Sequence, residues 1–239
     1  MSLPVAILAG GLAPRLRPLT ETIPKALIEI NGEPFAAHQL RLLKSRGIER
    51  VVFCVGYRAE MIEEYVGPGG RFGLDVSYCS DGPVLRGTAG AIHQAIPLLG
   101  DRFFVLYGDS YLPCDYAAVE GAFLESGRQG LMTVFRNEGR WDTSNVEFAG
   151  GRILAYDKKQ RTPRMQHIDY GLGVFHRSAF DGIAEGTACD LAAVYRDLLH
   201  RSQLAAFEVD RRFYEMGSLE GIEELSALLK DNDPAKEPT

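Results

Sequence analysis

The chain has 239 residues, 46% of them hydrophobic and 24% charged, proportions of a globular protein long enough to bury a full core. Its formal net charge of −6 gives no general attraction for nucleic acid or an anionic membrane, so an anionic ligand has to be met by local positive charge. With no apolar run near the roughly 20 residues that span a bilayer, and with no signal peptide read at its start, we expect a cytoplasmic protein, monomer or small homo-oligomer, without nucleic-acid or membrane partners.

In chain order, Val5 to Leu8 reads as a buried parallel strand. It runs into Gly10-Gly11 and then into a basic loop punctuated by Pro14, Pro18 and Pro24 and closed by Lys25. Paired glycines after a strand let backbone N–H groups approach phosphate, and Arg15 and Lys25 add fixed positive charge. The spacing fits neither the Walker motif nor the dinucleotide fingerprint. Ala26 to Ile30 is a short apolar segment with a turn at Asn31-Gly32, and Pro34 to Arg46 an amphipathic helix stopped by Gly47. Val51 to Val55 is a strand, Arg58 to Val66 a helix, Leu74 to Cys79 a strand, Gly87 to Leu99 a helix, and Phe103 to Tyr107 a strand that leads into Gly108-Asp109-Ser110. This alternation predicts right-handed βαβ units, and ligands at the carboxyl ends of the strands. Gly10, Gly11, Gly56, Ser80 and Asp109 should gather there.

Tyr116 to Gly127 is a further helix. The texture then becomes β-richer, with strands over Leu131 to Phe135, Ser144 to Phe148, Arg152 to Tyr156, Ile168 to Phe175 and Leu204 to Val209. Helices are expected over Leu191 to Leu199 and, capped by Ser218, over Leu219 to Leu229. The organisation is one domain over 1–230, with a first half to about 127 and a second from about 128, and a flexible polar tail over 231–239. Cys54, Cys79, Cys114 and Cys189 lack zinc spacing and read as incidental thiols, and none of the five histidines is assigned chemistry.

Taken together, Gly10-Gly11, Arg15-Leu16, Pro18-Leu19-Thr20 and Pro24-Lys25 resemble the opening motif of the sugar-1-phosphate nucleotidyltransferases. Gly87-Thr88-Ala89-Gly90-Ala91, Gly108-Asp109, Asp157-Lys158-Lys159, Asp169-Tyr170-Gly171 and Tyr214-Glu215 with Gly217-Ser218 are similar to later motifs of that family, in the same order. The resemblance implies an α/β, Rossmann-like, mostly parallel sheet with helices on both faces and a β-richer sugar-binding half, a glycosyltransferase-A-like fold. It implies attack of a sugar 1-phosphate on the α-phosphate of a nucleoside triphosphate (NTP), giving a nucleotide sugar for cell-surface polysaccharide. Arg15, Lys25 and Asp109 would be catalytic, and Asp109 and Glu215 would hold Mg2+. Leu8, Ala9, Gly10, Gly11, Gly87 and Thr88 would bind the nucleotide. Asn145, Lys159, Asp169 and Gly171 would bind the sugar phosphate. A cytidylyltransferase acting on a phosphorylated alcohol such as phosphocholine shares the opening motif, and a non-catalytic relative that senses nucleotide or sugar phosphate is the reading from another class. The chain departs from the pattern at Ala13-Pro14, where the family has glycine and threonine. Proline removes an N–H and pushes Ala13 towards extended geometry, which predicts a stiffer loop and weaker triphosphate binding.

Overall fold

The computed structural model of the protein describes residues 2–82, 84–184 and 186–231. The first strand, β1 (Val5–Leu8), is followed by single 3-10 turns at Pro14–Leu16, Leu19–Glu21 and Lys25–Leu27 and by a small hairpin, β2 (Glu29–Ile30) and β3 (Glu33–Pro34). Next come α1 (Phe35–Ser45), β4 (Arg50–Val55), α2 (Ala59–Val66), β5 (Asp75–Ser80), α3 (Gly87–Leu99), β6 (Arg102–Tyr107), β7 (Ser110–Tyr111) and α4 (Tyr116–Ser126). The second half contains β8 (Gly130–Arg136), β9 (Val146–Ala149), β10 (Arg152–Tyr156), β11 (His167–His176), α5 (Leu191–His200), β12 (Leu204–Val209), β13 (Tyr214–Glu215) and α6 (Leu219–Asp231). The Gly221 amide donates to Ser218 Oγ, so the last helix starts on the expected cap. It runs past Leu229 to Asp231, and the tail expected beyond it, 232–239, lies outside the described residues.

Among the described residues nine strands form one mixed sheet in the order β10-β9-β11-β6-β1-β4-β5, with β8 also paired to β11 and β12 to β8. The first half is parallel: β4 and β6 flank β1, and β5 adds beyond β4. The second half joins through β11, which lies antiparallel to β6 from Leu172 to His176 and antiparallel to β8 on its other side.

Strand residues alternate between the two faces of the sheet, and the packing follows that alternation. Val5, Ile7, Val51, Phe53, Phe104 and Leu106 pack with Leu40 of α1, Ile62 of α2 and Phe123 of α4. Ala6, Val52, Cys54 and Val105 pack on the other face with Ile92 of α3 and Leu198 of α5. A third, smaller core joins Leu16, Ile28, Ile30 and Phe35 to Met216 and Leu225, so α6 anchors the basic loop that follows β1. Among the described residues no helix is long and apolar enough to cross a membrane.

Candidate active site

The basic loop is shaped by three local ties. Leu16, only 3% exposed, is drawn into the α6 core, and its amide donates to the Ala13 carbonyl, as does Thr20 Oγ1 at 2.9 Å. Tyr57 Oη and an Arg58 guanidinium nitrogen both donate to the Glu21 carbonyl. Ala13 consequently sits at φ 43°, ψ 57°. This corrects the expectation of extended geometry: closure of the loop over Leu16 outweighs the preference that Pro14 imposes on its neighbour. Holding a non-glycine residue in this left-handed region costs about 1–2 kcal/mol.

Asp109 occupies the turn between β6 and β7. The Gly108 amide donates to the Leu8 carbonyl at 3.0 Å, and a Cβ at residue 108 would run into that same oxygen, so glycine is required where the turn crosses the end of β1. Lys25 Nζ donates to Asp109 Oδ2 at 2.6 Å. The short ladder between β7 and β13 sets Glu215 opposite Ser110, and the Met216 amide donates to the Asp109 carbonyl, which brings the two carboxyl groups to one place. Burial, and then the neighbouring Asp109 and Asp142 charges, push the Glu215 carboxyl above its usual range, while Lys25 and Arg15 pull it down. Among the described residues no third His, Cys, Asp or Glu makes a metal cluster with this pair. Two oxygen donors that repel one another fit a hard divalent cation completed by phosphate and water oxygens.

Two clefts meet at this point. The first, about 270 Å³, is lined by Leu8, Ala9, Gly10, Gly11, Ala13, Lys25, Gly87 and Thr88, and continues to Cys54, Asp81 and Leu85. The second, about 430 Å³, is lined by Arg15, Asn145, Lys158, Arg161, Asp169, Gly171, Asp142 and Glu215. Tyr107 and Asp109 line both. All the residues expected to bind nucleotide thus face the first cleft. Arg15, expected to be catalytic, lines the second cleft and not the first.

The floor of the second cleft is a bulge in β11. Register against β8 shifts between Asp169 and Gly173, and Gly171 takes up the bulge at φ 96°. The Asn145 side chain accepts from the Asp169 amide at 2.9 Å, and Asp169 itself accepts from Tyr156 Oη and from the Gly171 amide. Burial raises the Asp169 carboxyl above its usual range, against the pull of Lys158 and of these two donors. Lys159 does not line the second cleft, whereas its neighbour Lys158 does. Asp157 Oδ1 accepts from the amides of Lys159 and Gln160, a turn that follows directly on Lys158. Lys158 takes the place instead, with Nζ 3.4 Å from Tyr107 Oη.

Thr88 lines the first cleft and its Oγ1 also accepts the Leu191 amide at 2.7 Å, which ties α3 to α5. The amides of Ala89 and Gly90 donate to the Cys189 carbonyl, so the start of α3 is capped by protein. Trp141 packs its ring on the Arg212 guanidinium, 3.5 Å from the centroid. Lys158, Arg161, Asp142 and Tyr107 also line the clefts; of these the sequence offered Lys158, as one of the two lysines of its motif, and gave Arg161 and Asp142 no role.

The family model described as nucleotidyl transferase matches residues 5–230. The N-acetylmuramate alpha-1-phosphate uridylyltransferase of Neisseria meningitidis serogroup B is 28% identical over 93% of this chain and 96% of its own length. The UTP–glucose-1-phosphate uridylyltransferase of Synechocystis is also 28% identical, over 87% of this chain, which spans only 58% of that relative. In solved structures, HddC from Yersinia pseudotuberculosis in complex with GMP-PN superposes with a TM-score of 0.78 at 22% identity, over 95% of this chain and 99% of that one. At that identity the likeness speaks to the fold.

Proposed function

The chain belongs to the nucleotidyl transferase family, and from that premise we propose that it joins an NTP to a sugar 1-phosphate, releasing pyrophosphate and a nucleotide sugar. The observation that carries this reading is the meeting of the two clefts at Asp109, with Lys25 bonded to it. An oxygen of the acceptor phosphate attacks the α-phosphorus, the bond from α-phosphorus to the bridging oxygen breaks, and pyrophosphate leaves. Such a reaction needs positioning and charge neutralisation more than covalent help.

In this reading the triphosphate lies along Gly10 and Gly11, and Lys25 follows the charge that develops on the α-phosphate. Lys158 and Arg15 hold the acceptor phosphate on the other side of Asp109. Asp169, oriented by Asn145 and Tyr156, accepts from sugar hydroxyls. Asp109 and Glu215 would hold Mg2+, which when bound neutralises phosphate charge. The hydrogen-bonding Asn145 and Asp169 of the second cleft suit a hydroxyl-rich acceptor, and phosphocholine, which its acids could also attract, is the comparison in the test. The near full-length match to the Neisseria relative makes UTP with N-acetylmuramate α-1-phosphate the first pair to try.

The test is pyrophosphate release from each of the four common NTPs against a panel of sugar 1-phosphates and phosphocholine, with Mg2+ and with chelator. We expect turnover with at least one sugar 1-phosphate, lost in chelator, and lowered about 10²–10³-fold by Lys25→Ala. Absence of pyrophosphate with every pair would leave the non-catalytic reading standing.

A further inference from the structure

We propose that Gln39 is a positioning residue for Asp109, an inference that rests on the role of Asp109 given above. Gln39 lies on α1 among apolar neighbours and is 1% exposed. Its Nε2 donates to the Ser110 carbonyl at 2.8 Å and to the Tyr107 carbonyl at 3.4 Å. The two acceptors stand on either side of Gly108-Asp109, so one side chain closes the turn from beneath. Because both partners are carbonyl oxygens, only the NH₂ end of the amide can face them.

The other end of the amide shows what this arrangement costs. Gln39 Oε1 is buried with no hydrogen-bond partner, and an unpaired buried acceptor is destabilising. Leucine would fill the helix face without that penalty. What glutamine adds is the pair of donated bonds. Two backbone ties, from Gly108 N to the Leu8 carbonyl and from Met216 N to the Asp109 carbonyl, fix where the chain passes, and Lys25 Nζ and Ser110 Oγ donate to the Asp109 carboxylate itself. Gln39 fixes how tightly it turns, and so where the Asp109 carboxylate stands relative to Lys25 and Glu215. A displacement of about 1 Å at such a group costs up to about 10²-fold in rate.

The experiment compares Gln39→Leu and Gln39→Met, which lack the donor, with Gln39→His, whose Nε2–H can restore it. Asp109→Asn serves as the reference. With the NTP and sugar 1-phosphate pair of highest turnover, kcat and both KM values are measured. Mn2+ affinity in the presence of the NTP is read from the free-Mn2+ electron paramagnetic resonance signal, and folding by circular dichroism. We expect the donorless variants to lose about 10–100-fold in kcat, to bind Mn2+ more weakly, and to keep the acceptor KM, while Gln39→His recovers both losses. Wild-type kcat and Mn2+ affinity in Gln39→Met would overturn the inference, as would a Gln39→His variant no better than Gln39→Met at equal stability. Full activity in Asp109→Asn would overturn the reading beneath it. Loss in Asp109→Asn with none in Gln39→Met would overturn the inference alone. If Gln39→Leu does not fold, Gln39→Met, of the same length and unbranched, carries the comparison.

Discussion

Lys158 and Lys159 carry the same charge one position apart, yet the Asp157 side chain bends the backbone between them so that only Lys158 lines the second cleft. Lys158→Ala should raise the acceptor KM about tenfold, a loss of about 1.4 kcal/mol of binding, and leave the triphosphate KM alone. Lys159→Ala should change neither. Steady-state kinetics in each substrate checks both. The motif offers two lysines here, and which of them lines the cleft depends on a side chain bonding its own backbone. Ala13 shows the same limit: Pro14 argued for extended geometry, while the pull of Leu16 into a core formed by α6 decided otherwise.

Glu215 carries a pH dependence of its own. Its raised carboxyl holds a proton more tightly in the folded than in the unfolded state. Its contribution to stability is therefore greatest below the ordinary carboxylate range and falls as pH rises from there through the raised folded value. Glu215→Gln removes that loss. We expect a higher Tm than wild type at neutral pH, a difference that shrinks towards pH of about 4, and turnover lower by about 10²–10³-fold. Calorimetry at several pH values with a single-point assay tests it.

At the scale of the element, the bulge in β11 does the most for the site. Opposite the shift, Thr133, fully buried on β8, donates from Oγ1 to the Leu172 carbonyl at 2.5 Å. Thr133→Val keeps the shape and removes the donor. It should cost about 1–3 kcal/mol and raise the acceptor KM while sparing the triphosphate KM, as denaturant unfolding and kinetics would show. The run from Ile168 to Phe175 was legible as a strand from its apolar content. The bulge was not, because in sequence it amounts to one glycine two residues after an acid, and register is a property of the pair of strands. The pairing of β7 with β13 was hidden for a similar reason, since two-residue strands leave no periodicity to read.

For the whole molecule, the parallel half was legible almost element by element, because each strand and helix alternates cleanly and each strand ends in a glycine, serine or acid. What the texture change after about residue 127 did not disclose is that both halves share one sheet, with β11 seated on the free edge of β6. The two halves are therefore not separable. A fragment of residues 1–127 would leave β6 with an unpaired edge and the buried faces of Leu106 and Val105 partly uncovered. On refolding it should scatter light at concentrations where the full chain stays clear.

That seam also sets a timetable for synthesis. As the chain leaves the ribosome, β1, β4, β5 and β6 are available long before Leu172 to His176 emerge to pair with β6. During that interval a growing chain offers other nascent chains a strand edge at the centre of its future sheet. Slowing translation between β6 and β11 would lengthen this exposure, so yield in a cell should depend on codon pace across that stretch and on chaperones that shield open edges.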